Sequence, residues 1–426
     1  PEARLENSGF IRVSLHNTKT SEGDYIYISG TSVLAIVKTK HIVDEVLTVS
    51  DVPMGTYKEL LYSNDFDSVY NLIQDTLAVS SDSVSVIGPY RDWNGLSKVA
   101  INTSSSGAAI SEDLYDFPLL VRLHKNNFSF AEALDDGQDI RFSTPGGTIL
   151  PYEISRWDKA GLSAEIWVRI DTIFGNNETQ YFNMHWGSTL AADISNSKAV
   201  FDSANGYVSV WHLEENGSGQ NDEYIDGSAN GDHGTGISMG NAVSSVVGNG
   251  QEFDGTDSYI ELDDSTGLDG AGAFTISFWC NADSINFPFM NGLFTRGSDE
   301  KVGAPYIEGL MGENTLRMYF STEGHTGDCK LVSPALTQGK WHYVTFTWDG
   351  IVATAYMDGT VGAADSTSGN MLLDSDGSNW IGNMPGWGKW DGKLDELRVL
   401  KAHHSADWIK MNYETQKVGS KVVKIK

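Results

Sequence analysis

The sequence predicts an all-β protein built as tandem β-sandwiches, and three observations carry that expectation. Runs of about four to eight residues alternate apolar with polar side chains and are rich in Val, Ile, Thr and aromatics. Clusters of Gly, Asn, Asp and Ser punctuate those runs, supplying the backbone freedom and local side-chain bonds that tight turns need. Helical periodicity is almost absent outside one stretch near the C-terminus. With 426 residues, 17 Tyr, 17 Phe and 12 Trp, the chain has material for more than one core.

Three blocks emerge in order. Residues 10–88 hold strand patterns at 11–15, 25–28, 33–37 and 46–49. A Val52-Pro-Met-Gly-Thr-Tyr57 stretch then enters another strand at 60–62. This stretch resembles the transthyretin-like sandwich modules of bacterial surface proteins, and the resemblance implies a Pro-Gly turn followed by an inward-packed Tyr57. Residues 89–190 form the second block, with strand patterns at 97–102, 116–123, 136–142, 150–154, 164–170 and 181–187. A helical turn is expected at 128–134. The succession is similar to a bacterial domain of unknown function that precedes lectin-like jelly rolls, and it implies no chemistry of its own.

Residues 199–417 form the third block. An apolar run at 208–213 leads into a glycine-rich turn, 226–235, of sequence Asp-Gly-Ser-Ala-Asn-Gly-Asp-His-Gly-Thr. Strand patterns follow at 274–279 and 341–349, then a hairpin at 353–361 and a Gly392-Lys-Leu-Asp-Glu396 segment opening the strand 394–400. In this order the segments resemble the laminin-G-like, concanavalin-A-like jelly-roll family. The stretch 405–413 places apolar residues at helical spacing behind a Ser405 cap, so a short closing helix is expected. Residues 422–426 are left as a terminal strand or a linker.

Composition narrows the partners. Fifty-seven acidic residues against 29 Lys plus Arg give a net charge of −28, which repels nucleic-acid phosphates and anionic membranes. No nucleic-acid role is expected. No apolar run is long enough to cross a bilayer as a helix. A start at Pro1 without a signal-like segment suggests a mature fragment or a piece of a longer protein. Only Cys280 and Cys329 are present, leaving open one disulfide or two buried thiols.

The jelly-roll resemblance implies a structural calcium ion. Its ligands would be Asp226, Asn230 and Asp395 with carbonyls of the 226–234 turn, since hard cations prefer such oxygens. Asp232 either adds a carboxylate or faces water. Ala229 and Leu394 stand where the family carries Gly and Ile, and neither change removes a ligand. The competing account is a turn whose Asp and Asn side chains cap their own backbone.

Sugar rings present apolar C–H faces, so exposed aromatics flanked by polar groups are the signal for glycan binding. Trp387, set among glycines, is the expected platform. Arg296, Lys301 and Tyr306 bound a variable stretch that would form a rim. Trp390 is expected to pack inward, and Trp211, Trp279, Trp341 and Trp348 to lie in the core. Catalytic motifs are missing: there is no E-x-D-x-x-E strand, H-E-x-x-H helix or phosphate loop.

These features together lead to the expectation of a non-catalytic carbohydrate-binding or adhesion protein, extracellular or at a bacterial surface. Its partners would be polysaccharides, other glycans or other surface proteins. The alternative is a structural subunit of a surface layer, filament or appendage. A polysaccharide hydrolase with an unrecognised site is the distant third.

Overall fold

The protein is seen as a computed structural model. Up to residue 92 it describes strand backbones only. From residue 93 it describes every residue except 146, 264–266, 269, 286, 297–304, 323–324, 367–370 and 372–378, with the side chains of 325–328 also outside the description. The strands of the first block fall into a four-stranded and a five-stranded sheet. The Pro53 stretch joins them: Val46–Pro53 belongs to the first sheet and Gly55–Asn64 to the second. The expected packing of Tyr57 lies outside the described side chains.

The middle block has two sheets. One holds Leu114–His124, Ser163–Ile173 and Tyr152–Asp158. The other runs Arg141–Ser143, Tyr181–Trp186, Gly95–Ile101 and, unexpectedly, Val423–Ile425 from the far end of the chain. Val423 pairs with Ile101, and Ile425 with Val99. The helical turn expected at 128–134 is a three-residue 3-10 turn, Phe130–Glu132.

The jelly roll follows as two larger antiparallel sheets. In the first, Asp391–Leu400 is flanked by Phe274–Ala282 on one side. On its other side lie two shorter strands, Asn249–Asp254 and Tyr207–Trp211. Trp341–Trp348, Val352–Met357 and the edge strand Thr360–Ser366 complete that sheet. The second sheet runs from Gly234–Ile237 to His325–Val332 and includes Asn291–Arg296, Tyr306–Gly309 and Leu316–Thr322.

Every residue of Phe274–Ala282 is buried, because the sheet that holds it is covered on both faces. Phe274, Ile276, Phe278 and Cys280 join the core shared with the second sheet. Trp279 joins a different cluster, made of the middle block and the C-terminal helix Ala406–Gln416. Trp279 Nε1 donates to Gln416 Oε1 at 2.8 Å. The alternation that reads as apolar-in and polar-out is therefore a sheet with two interiors.

The closing helix starts as expected, with Ser405 Oγ accepting from Trp408 N. It does more than close the jelly roll. Trp408 meets Phe117 edge-on at 5.8 Å, and Asp407 accepts from the backbone N–H groups of Ser111 and Glu112. Arg122 donates to the carbonyls of Thr415, Gln416 and Val246. Middle block and jelly roll thus share a core, which their sequence patterns, each complete in itself, did not suggest. Cys280 and Cys329 are both free and buried, one in each jelly-roll sheet.

Candidate functional site

The segment around Trp387 is a small hairpin of Asn383–Met384 and Gly388–Lys389. Trp387 N closes it onto Met384 O at 3.0 Å, and Gly386 takes a left-handed φ of 80° that a larger residue resists. Gly388–Lys389 then runs parallel to Asn291–Gly292, and Asn291 Nδ2 donates to Lys389 O. This fixes the hairpin against the 287–291 segment, where a Cβ at Gly388 would lie 3.3 Å from Phe289 Cβ. Gly312 N donates to Phe287 O, which draws the Met311 loop to the same place.

Three loops therefore converge and leave Trp387, Phe289 and Met311 48%, 58% and 56% exposed. Beneath them Phe287 packs on Trp390, which is fully buried. Polar groups flank the patch. Lys389 sits 5.6 Å above the Tyr259 ring, and Arg317, paired with Glu308, reaches Met290 Sδ. An apolar platform with polar neighbours on a sheet-anchored base suits the face of a sugar ring.

Two other rim expectations need correction. Arg296 and Tyr306 are 4% and 6% exposed, so they line no open rim. Each ends a strand that is hydrogen-bonded on both sides, and Tyr306 stacks on Tyr319 at 4.9 Å. Lys301 lies outside the described residues. Trp341 is half-buried rather than fully in the core, whereas Trp211, Trp279 and Trp348 are buried. Phe289 and Met311 went unnoticed in the sequence, since an apolar residue in a loop carries no sign that it faces solvent.

The 226–235 turn is organised by Asp226, which is 1% exposed. Its Oδ1 accepts from Val210 N and Ser228 N, and its Oδ2 from Ser228 Oγ, Gly231 N and Asp232 N. Asn230 Nδ2 donates to Val208 O, and Asp232 Oδ2 accepts from Ser209 Oγ. Asp395 answers to different donors, Ser245 Oγ and Val247 N. A carboxylate that gathers five N–H and O–H donors has no lone pair left to direct at a cation. In this arrangement Asp226 keeps no free lone pair for a cation, whereas Asp395 Oδ1 meets no hydrogen-bond partner among the described residues. The turn is the self-capping kind.

A second constellation lies where the middle block meets the jelly roll. His212 Nδ1 is 2.7 Å from Glu396 Oε1, and its Nε2 is 3.1 Å from Glu153 Oε2. Two carboxylates facing both ring nitrogens call for a doubly protonated imidazole. Burial works against that charge, but Glu396 and Glu153 outweigh it and hold the His212 pKa well above its usual value. Glu396 also takes two bonds from Arg398, whose guanidinium lies 4.1 Å over Trp167. Glu396 and Leu213, beside His212, are non-glycine residues at positive φ, 53° and 61°, which marks the backbone here as strained.

Next to His212 a cleft of about 340 Å³ is lined by Glu153, Ser155, Ser197, Glu214, Glu215 and Gly227 among others. Burial raises the Glu214 carboxyl to about 8, with His212 pulling the other way, and burial also raises Glu215. None of these residues stood out in the sequence. The one available signal was charge inside an apolar strand, in Leu394-Asp-Glu-Leu-Arg398, and there only Asp395 was singled out.

Residues 254–410 match the family described as the concanavalin A-like lectin/glucanases superfamily. Residues 136–212 match a domain of unknown function, DUF2341. No curated protein matches the chain. Among solved structures, it is similar to the receptor-binding domain of botulinum neurotoxin C/D mosaic serotype, with 12% identity, 50% of this chain and 51% of that one covered, and a TM-score of 0.38. The binding domain of Paraclostridial Mosquitocidal Protein 1 matches at 16% identity, 49% and 52% coverage and a TM-score of 0.38. Domain 4 of AbnA, an extracellular arabinanase from Geobacillus stearothermophilus in complex with arabinotriose, matches at 14% identity, 48% and 97% coverage and a TM-score of 0.37. The chain spans about half the length of the toxin-domain structures it matches.

Proposed function

We propose that this chain is a non-catalytic glycan-binding or adhesion protein that works outside the cell, and that the jelly roll recognises sugar through the Trp387 patch. The observation that carries this is one convergence. Trp387, Phe289 and Met311 stay open on three loops tied to the second sheet, in a domain that matches a lectin-like family. Large apolar side chains held in the open by backbone hydrogen bonds lose hydration favourably when a ring stacks on them.

The test is binding to a panel of immobilised polysaccharides with wild-type protein, Trp387→Ala and Phe289→Ala. Loss of a stacking platform is expected to weaken binding about tenfold or more. Melting should stay unchanged, because these side chains are exposed. Wild-type protein that binds no glycan, or binding indifferent to both substitutions, would end this proposal.

A structural subunit remains the second reading because of one feature. The edge strand Thr360–Ser366 is almost wholly exposed, and Val361 is 55% exposed. Such an edge can add a strand from another chain. Concentration-dependent assembly that Val361→Lys abolishes, without glycan binding, would favour it.

A further inference from the structure

The strand that Val423–Ile425 adds to the middle block brings lysines together. It pairs antiparallel with Gly95–Ile101, setting Lys424 opposite Ala100, and Lys426 N donates to Lys98 O at 2.9 Å. Val99 and Ile101 belong to the core, with Val423 and Ile425 packed against it. Side chains alternate along a strand, so Lys98, Lys424 and Lys426 share the opposite face. All three are exposed. Lys98 and Lys426 stand across from each other, and Lys424 is about 7 Å from Lys426 along its strand.

Like charges directly opposite each other in an antiparallel pair are destabilising. A neighbouring acid would relieve that repulsion, and the chain has 57 Asp and Glu against 29 Lys and Arg. Yet the ion pairs between described residues engage Lys159, Lys393 and Lys417, and none of these three. Native chains break such local rules chiefly at functional sites. Apolar surface flanks the lysines. Leu96, two residues before Lys98, is 63% exposed, and Lys98 Nζ lies 4.4 Å from the centre of the half-buried Tyr181 ring. Farther along, the same face closes: Arg141 and Ser143 are buried, and Ser143 Oγ lies 2.9 Å from His185 Nε2. The open part of this sheet is therefore its lysine part.

An occupant of such a strip is anionic, and its shape follows from the rest of the chain. A net charge of −28 repels a large acidic body, so the partner brings its charge on a slim strand that meets the lysines alone. Phosphate and sulfate are best read by arginine, whose planar fork donates to two oxygens at once, and the one arginine on this face, Arg141, is buried. Nucleobases need a bare aromatic ring to stack on, whereas Tyr181 already holds Lys98 on its ring. Ammonium groups repeated along a sheet suit single carboxylates repeated along a polymer.

We propose that this strip is a second recognition surface and that it binds a linear polysaccharide of uronic-acid units. The carboxylates pair with Lys98, Lys424 and Lys426, while Leu96 and Tyr181 meet the apolar faces of the rings. The surface shares no residue with the Trp387 patch and stands whether or not that patch binds sugar.

Binding of the intact chain to immobilised polygalacturonate tests it, with the methyl-esterified polymer as neutral control and dextran sulfate as polyanion control. Wild-type protein is expected to prefer polygalacturonate over either control by at least about tenfold. Affinity should fall about tenfold or more between about 50 and about 500 mM NaCl, as screening weakens exposed charge pairs. Lys98→Gln, Lys424→Gln and Lys426→Gln combined should remove the binding, with melting unchanged or slightly raised because the repulsion is gone. Lys426→Gln alone should weaken it about threefold and serves if the combined variant folds poorly. Trp387→Ala should leave it intact; loss there would put the acidic polymer on the aromatic patch and overturn this surface. Equal binding of the esterified polymer would make the ligand a neutral sugar and overturn the uronate. Dextran sulfate bound as tightly would reduce the strip to a general polyanion contact. Self-association that the combined variant abolishes would assign it to the acidic surface of a second copy. Either of these, or no binding to polygalacturonate at all, would overturn the proposal too.

Discussion

At the junction with the middle block, the jelly roll buries charge; around Trp387, it exposes aromatic surface. Arg398 and Glu396 are fully enclosed, held to each other, to His212 and to the ring of Trp167. Trp387, Phe289 and Met311, which would gain by burial, stand in solvent. Each choice runs against simple hydrophobic sorting, and they differ in what offsets the cost. A buried ion pair is tolerable only when every member is paired, so the junction is intolerant of single losses. An exposed ring costs little in stability and is free to make contact with something else. The contrast separates where this protein keeps its stability from where the proposed recognition surface lies.

The sharpest way to break the contrast is to remove one member of the buried set. Glu396→Ala or Arg398→Ala leaves its partner charged and enclosed, and is expected to cost about 3–5 kcal/mol in chemical denaturation. Because the cluster joins the two blocks, both should unfold earlier. A loss below about 1 kcal/mol would mean that the junction is wet and its charges solvated.

Asp226→Ala comes next. It deprives four backbone N–H groups and the Ser228 hydroxyl of their acceptor, with an expected cost of about 2–3 kcal/mol. Adding EDTA to the wild type should leave melting unchanged, since the turn is capped by its own donors. A calcium-dependent rise in melting temperature would restore the cation site.

A smaller effect is expected from pH. His212 has a folded pKa above its ordinary 6.5, raised by Glu396 and Glu153 against burial, so its contribution is complete below that value and drains as pH rises through the folded one. Glu214, raised by burial to about 8, acts in the same direction, because folding favours its protonated form. Melting temperature should therefore decline from about pH 6 towards pH 9. Glu214→Gln and His212→Gln should each flatten that decline, and an undiminished slope in both would place the titration elsewhere. The smallest stability change belongs to Trp387→Ala, within about 0.5 kcal/mol, although it should have the largest effect on glycan binding.

Local patterns made much of this molecule legible. The strand at 274–282, the Ser405-capped helix and the Asp226 turn each follow from short-range rules of alternation, capping and turn chemistry. Trp390 was expected to pack inward and does, since a strand flanks it. Arg296 and Tyr306 went the other way: their charged and phenolic groups suggested a rim, but pairing on both sides of their strands enclosed them. Asp395 drew attention over its neighbour Glu396, although Glu396 is the residue that reaches across the junction.

By itself, the sequence determined the all-β class and the presence of a glycine-rich turn at 226–235, because alternation and turn geometry act over a few residues. Only the tertiary structure decided that Val423–Ile425 completes the sheet of the middle block, and that His212 bridges Glu153 and Glu396, 59 and 184 residues away. The reason is physical. Whether a charge can be buried depends on which partners surround it, and those partners come from distant parts of the chain that no local pattern brings together.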